Sequence, residues 1–371
     1  MVKREGVVAY WSRWKGWLTL GLVLLLIALP VFAHQRRAGE DPLAARRPTP
    51  VPWQGVLQLY VLEGWEGSRG TAWLKRRCAA FESVTGAFVE VRTVQALDME
   101  QPPDVVSFPA GMDMSQAAAS WLAISLPSAA NRQFREGILS TGILDGQLKA
   151  VPWLLGGYTL VANETLCAQK GMALPELGMR WNEAGFMESL KAFKGSKKVV
   201  ALSVLQRDCA QRNLPEGCVA SLPNGAGNRD AFHKGNVPFL LGDVRDLALL
   251  EQAGFAWQQT PLEAGMVCDE VCYLGVTGRG DTRRQQMAQA LVAYLVSADV
   301  QAQVDKAGGF SPLALQVYDD GAFAVLEARL DEGITLFGAF GNEIMLAKPI
   351  QAQPVIRSLV FYHRLGYTEP Y

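Results

Sequence analysis

The run CDEVC, Cys268 to Cys272, sets two thiols and two carboxylates within five positions. Thiolates and carboxylates both ligate metals, so a metal is one reading of this run. Zinc usually draws on two clusters of ligands, however, and His34, His233 and His363 are scattered. A local disulfide and free thiols are the other readings, and Cys209 with Cys218, flanking a turn-rich stretch, allow a second small loop. Cys78 lies inside a helical pattern and reads as a small core residue. For covalent or hydrolytic chemistry there is no Gly-x-Ser-x-Gly, no His-Glu-x-x-His and no Gly-x-x-x-x-Gly-Lys. Three histidines, one at a basic flank and one near the C-terminus, argue against a histidine-based triad. Whether two carboxylates flank a substrate is a property of the fold. The chain reads as a non-enzyme that needs no cofactor. Recognition remains: Trp65 stands in LEGWEGSRG, where Gly64 and Gly67 open a loop at the carboxyl end of a strand, with Glu63, Glu66 and Arg69 beside it. The plainer reading is a Trp that packs on its own lobe.

At 371 residues and 49% hydrophobic, the chain exceeds the usual single-core size and has ample apolar content for two lobes. Lys plus Arg at 35 against Asp plus Glu at 36 gives a formal charge of -1, which excludes a general electrostatic grip on nucleic acid. The N-terminus differs in kind. Lys3, Arg4, Arg13 and Lys15 precede WLTLGLVLLLIALPVFA, Trp17 to Ala33, and HQRR follows it. That pattern predicts a signal peptide or a signal anchor helix over residues 1–37, with the membrane as a partner through this helix and the body outside the cytoplasm. Either a secreted chain or one anchored at the outer face of the cytoplasmic membrane follows. A buried core helix is the alternative. Residues 38–55, with three prolines between Pro48 and Pro52, read as a semi-extended tether.

From Val56 strands and helices alternate. VLQLYVL, Val56 to Leu62, predicts a strand, and GTAWLKRRCAAFESVTG, Gly70 to Gly86, predicts a helix that stops on glycine. AFVEVRTV and the proline-bounded PPDVVSFPAG follow as strands, and VCYLGVTGRG is a later one. Such a rhythm implies mostly parallel sheets covered by helices, which bind ligands at the carboxyl ends of their strands. In DGQLKAVPWLLGGYTLVANETL, Asp145 to Leu166, a Pro-Trp and a glycine pair sit between two apolar strands. This suggests a crossing between domains, with an ordinary hairpin as the alternative.

The ordered series AAFESVTGAFVEVRTV, PPDVVSFPAG, DGQLKAVPWLLGGYTLVANETL, AFHKGNVPFLLGDVRDLALLEQAGFAWQQTPL and AYLVSADVQAQVDKAGGFSP resembles the extracellular solute-binding proteins of ABC importers, in the carbohydrate-binding branch that includes maltose-binding protein. The likeness covers about Val56 to Pro312 and rests on the order of its pieces. It implies an α/β, two-lobed, periplasmic-binding-protein type II-like fold, each lobe a mostly parallel sheet flanked by helices, here preceded by the N-terminal membrane helix. The implied lobes are 56–155 with 268–313, and 156–267 with 314–371.

The resemblance also implies a ligand site. Trp153 and Tyr158 would face the cleft, and Phe108 with Asp113 would lie at the loop after the Pro-Asp strand. Gly242, Asp243 and Arg245 would stand at a helix start facing the cleft from the second lobe, and Trp65 and Glu66, at the carboxyl end of the first strand, are further candidates. Sugar rings offer apolar faces and hydroxyl edges, which suit such a mixture of aromatics and polar groups. Two departures stand out: Val244 occupies a place where the family often has an aromatic, and the second lobe is short between Val200 and Ala231. The implied partners are a small solute, most simply a sugar or oligosaccharide, and ABC permease subunits. The rival reading is a membrane-anchored sensor or interaction module not coupled to transport.

Overall fold

The computed structural model describes residues 53–62, 64–112, 114–176, 179–193, 200–202, 214–215, 218, 225–263, 267–314, 321–330, 335–341 and 343–345. The run Trp17–Ala33, most of the tether, Glu63, Asp113 and Cys209 lie outside them.

In β1 (Val56–Leu62) Leu57, Leu59 and Val61 are fully buried, as alternation requires of a strand with one covered face. Helix α1 (Gly67–Thr85) follows and turns Trp73, Leu74, Cys78 and Phe81 inward. It ends where Gly86 takes φ 75, a left-handed position that favours glycine. β2 (Phe88–Val94) and β3 (Val105–Pro109) both pair with β1 in parallel. The Asp145-Gly146 dipeptide, at φ 51 and 74, turns the short hairpin of β4 (Ile143–Leu144) and β5 (Gln147–Leu148). β6 (Ala150–Leu155) and β12 (Val271–Val276) complete the first sheet in the order β2-β1-β3-β12-β6. β12 runs antiparallel to both neighbours. Helix α6 (Thr282–Leu295), capped by the Asp281 side chain, buries Met287, Ala288, Leu291, Val292 and Leu295 along one face and packs on β12 and α1.

A second sheet has the order β10-β7-β9-β8, with β7 (Thr159–Asn163), β8 (Val200–Leu202), β9 (Phe239–Gly242) and β10 (Trp257–Gln259). Helices α2 (Glu164–Gln169), α3 (Glu183–Leu190), α4 (Gly225–His233) and α5 (Val244–Leu250) accompany it. Phe186 of α3 and Trp181 close edge-on against Phe239, at 5.3 and 5.9 Å between ring centres. A third, small sheet joins β11 (Val267–Cys268), β13 (Thr335–Phe337) and β14 (Glu343–Met345). Helix α7 (Gly321–Leu330) packs on α5.

Two features differ from the sequence reading. The sheets are mixed rather than mostly parallel, because β12 re-enters the first sheet from outside it and β7 lies antiparallel to both β9 and β10. The second correction concerns the membrane. Among the described residues no helix is long and apolar enough to cross a bilayer. The longest, α1 with 19 residues, carries Arg69, Lys75, Arg76, Arg77 and Glu82 and spends its apolar side on the sheet. Among the described residues the architecture is therefore a mixed α/β one with no membrane-spanning helix, so the structure supports neither the anchor helix nor the membrane partnership and anchored location expected from it.

One polar lock fastens the first sheet to its helix. The buried Asp104 carboxylate, from the Pro-Asp segment, accepts from the Gln58 backbone N–H at 2.7 Å and from Arg284 Nε and Nη2 of α6 at 2.5 and 2.9 Å. Removing it strands an amide and a guanidinium together. Asp104→Ala is expected to lower stability by about 2–3 kcal/mol, read as a shift of the denaturant midpoint without change in slope.

Candidate functional site

Two short segments carry the chain between the sheets, and a third stretch lies against them. The first, Gly156 to Tyr158, leaves β6 in the first sheet and enters β7 in the second. The next, Asp269-Glu270, leads from β11 to β12. The third passes Phe310, whose N–H and carbonyl exchange hydrogen bonds of 2.6 and 2.9 Å with Leu155. The first two lie against each other: Gly156 N donates to Glu270 O at 2.6 Å, and the Tyr158 hydroxyl donates to Asp269 Oδ1 at 2.7 Å. A β-carbon on Gly156 would stand 2.4 Å from Glu270 Oε2 and 2.7 Å from Glu270 Cβ, so only glycine admits this carboxyl.

Beside these crossings the loop after β1 meets the first turn of α5. Gly64 lets the loop pass Pro109, since a β-carbon there would lie 2.7 Å from the proline ring. Asp243 is the N-cap of α5: its Oδ1 accepts from Arg245 N at 2.8 Å and Asp246 N at 3.2 Å, while Asp246 Oδ2 accepts from Asp243 N at 3.1 Å, a complete capping box. Gly242 precedes it because a β-carbon would press on Asp246 and Leu240. The other Asp243 oxygen takes Arg245 Nε at 2.9 Å and also Nη2. Arg245 Nη1 then reaches across the junction to the Trp65 carbonyl at 2.6 Å, and Nη2 comes within 3.5 Å of Glu270 Oε1. On the far side Cys272 Sγ donates to Glu66 Oε2 at 3.3 Å.

This is a buried, acid-rich cluster organised round one cation. Burial drives the Glu270 carboxyl well above the usual carboxylate range; Asp243 adds to the rise, Arg245 opposes it, and Asp269 adds again. Glu270 is therefore held protonated beside the Asp243–Arg245 pair. For Arg245, burial acts to lower the pKa, but Asp243, Glu270 and Asp246 together raise it, so the guanidinium stays charged. Burial, then the neighbouring Glu66, pushes the Cys272 thiol well up, which leaves it unreactive.

The residues named from sequence divide in two. Trp65, Glu66, Gly242, Asp243 and Arg245 come together at the junction. Trp153 and Phe108 do not: the Trp153 indole is fully buried, stacks on Trp73 at 5.3 Å and donates to Ser107 Oγ at 3.1 Å. Phe108 is equally buried, against Trp121 and Tyr273. Both are core residues of the first sheet. Tyr158 belongs to the crossing through Asp269, and its ring is also buried. Asp113 lies outside the described residues.

Cys78, Cys167, Cys218, Cys268 and Cys272 are buried thiols outside any disulfide, so of the readings left open for CDEVC the thiol one holds. Among the described residues no group of three or more His, Cys, Asp or Glu is placed to hold a metal. Sequence reasoning missed Glu270 as a junction residue. Its signal was available only as a carboxylate within an apolar run, and its partner Gly156 is 114 positions away. Two open pockets of about 250 and 270 Å³ lie elsewhere, one lined by Asn163, His233, Lys234 and Phe255 and the other by Glu164, Met172 and Gln258.

Two outcomes are expected here. The native state keeps a proton on Glu270 that the unfolded chain releases near the ordinary value of 4.5, so stability falls as the pH rises above that value until the native carboxyl itself ionises. Glu270→Gln, which mimics the protonated form, should flatten that decline in melting curves taken between about pH 5 and 8. Gly156→Ala should lower stability by about 1–3 kcal/mol through its collision with Glu270, measured by denaturant titration.

No protein-family model and no curated protein matches the chain. Solved structures do. It is similar to the GacH receptor of Streptomyces glaucescens, determined unliganded and with acarbose, at 15% identity and TM-score 0.54 over 75% of this chain and 87% of that one. A substrate-binding protein of an ABC system from Listeria monocytogenes, in complex with cycloalternan, matches at 13% identity and TM-score 0.51 over 71% and 81%. The cyclic α-maltosyl-1,6-maltose binding protein of Arthrobacter globiformis matches at 12% identity and TM-score 0.52 over 70% and 80%. At such identities the likeness is one of fold: this chain shares the fold of these solute-binding proteins.

Proposed function

We propose that this chain is an extracytoplasmic binding protein that takes a small solute, a carbohydrate in the first instance, between its two sheet-bearing regions and delivers it to an ABC importer. The observation that carries the reading is the meeting of two strand-end loops, after β1 and after β9, beside segments that cross between the sheets. Open α/β sheets bind at the carboxyl ends of their strands, and crossing segments are where such regions hinge. The solved neighbours named for acarbose, cycloalternan and a cyclic maltosyl-maltose support carbohydrate as the class. Trp65, Glu66 and Asp243 are buried in this state; once the junction opens, the Glu66 carboxylate would accept hydrogen bonds from hydroxyl groups, Arg245 would donate to ring or glycosidic oxygens, and Trp65 would offer an apolar face. The mechanism is selection of a closed state by the solute, with no covalent step. Trp153 and Phe108 have no part in it, and Val244, itself buried, supplies no ring.

A second reading has its own support. The Asp243 carboxylate and the Arg245 guanidinium already pair with each other, and Arg245 already joins the two sides. That favours an interaction module whose cleft is filled by its own side chains. A thermal-shift and calorimetric screen against malto-, xylo- and chito-oligosaccharides decides between the two. A solute at a hundred times its Kd adds about 2.7 kcal/mol, a rise in Tm of roughly 5–10 °C. A panel that leaves Tm unmoved and releases no heat overturns the carbohydrate reading in favour of the second.

A further inference from the structure

We propose that Arg245 is a built-in latch: its guanidinium ties the second region to the first without any solute, occupying the connection that a bound molecule would otherwise make. The inference rests on the reading of two regions that hinge, and on no particular solute. Its basis is the path of one side chain. The Asp243 carboxylate is fixed as the cap of α5, with one oxygen spent on the backbone N–H groups of Arg245 and Asp246. Its other oxygen grips Nε and Nη2, so the planar fork has a single orientation. That orientation sends Nη1 2.6 Å from the Trp65 carbonyl in the loop after β1, and sets Nη2 against Glu270 on the segment between β11 and β12. Three separate parts of the chain thus converge on one cation that is more than two-thirds buried.

The acceptor on the opposite side is a backbone carbonyl, present whatever residue stands at position 65. The latch therefore depends on Arg245 and on the carboxylate that aims it. Lysine, with one compact charge and no fork, could not reach Asp243 and Trp65 in this geometry. A solute entering the junction must displace the guanidinium from Trp65, so its apparent affinity is lowered by the fraction of molecules in which the latch is shut.

Spin labels at Val84→Cys on α1 and Leu249→Cys on α5, both at exposed positions, report the separation of the two regions in the full-length chain by pulsed electron resonance. The five described native thiols are buried, and Cys209, outside the described residues, is replaced by serine in the background, which is checked for residual labelling. With no solute, the parent is expected to give one narrow distribution. Arg245→Met, which keeps an apolar stem and loses every donor, should lengthen and broaden it. Should that variant not fold, Asp243→Asn, which removes the charge aiming the fork, takes its place with the same expectation. A broad distribution in the solute-free parent, or variants that coincide with the parent, overturns the latch. Neither result depends on a carbohydrate being found, so the latch and the carbohydrate reading fail separately.

Discussion

Where Gly156 lacks a side chain, the Glu270 carboxyl takes its room. The two crossing segments lie so close that the Gly156 amide donates to the Glu270 carbonyl at 2.6 Å, and the Cys268 thiol approaches the Gly156 carbonyl at 3.8 Å. The rest of the junction is referred to this contact. β6 ends and β7 begins on one side of it; β11 ends and β12 begins on the other. A bulkier residue would push the segments apart, and with them the two sheets whose strand ends bring Trp65 and Arg245 together.

That closeness has an electrostatic consequence. Glu270 and Asp243 are both wholly buried near a single guanidinium, which balances one negative charge and not two. Ionising both would leave an uncompensated charge in a medium that cannot solvate it, so one carboxyl keeps its proton. Glu270 is the one whose burial raises it, while Asp243 is committed to the backbone of α5 as its cap and to the Arg245 guanidinium. The junction is thereby polar and fully coupled. Charges of this kind contribute orientation more than net stability, since separating either partner leaves the other stranded.

The likeness to sugar-binding proteins and the composition of this junction belong to different levels. The fold is shared, at TM-scores of 0.51–0.54. Identity of 12–15% leaves the side chains at that place unconstrained by the shared fold. Val244 lies inside the apolar core where a ring would be useful only on a free surface, and Arg245 next to it points across to the opposite loop. Function lives in such sites, and the same fold accommodates a solute or an internal contact according to a few side chains.

Local chemistry was legible from the sequence. Alternation in Val56–Leu62 and helical spacing before Gly86 marked β1 and α1, and Pro-Trp with Gly-Gly marked a passage between strands. Each signal is short-range, written into φ preferences and the period of burial. The direction of β12 was not legible, nor was the burial of Trp153 against Trp73, because both depend on which segment arrives beside which after a long excursion of the chain. CDEVC shows the division most clearly. Its residue types allowed a metal, a disulfide or free thiols, and nothing nearby in the sequence chose among them. Tertiary packing set Glu270 against Gly156 and Cys272 beside Glu66, and put a cation from α5 between the acids. Charge, burial and separation are properties of the assembled neighbourhood, so only the folded chain could assign those residues their states.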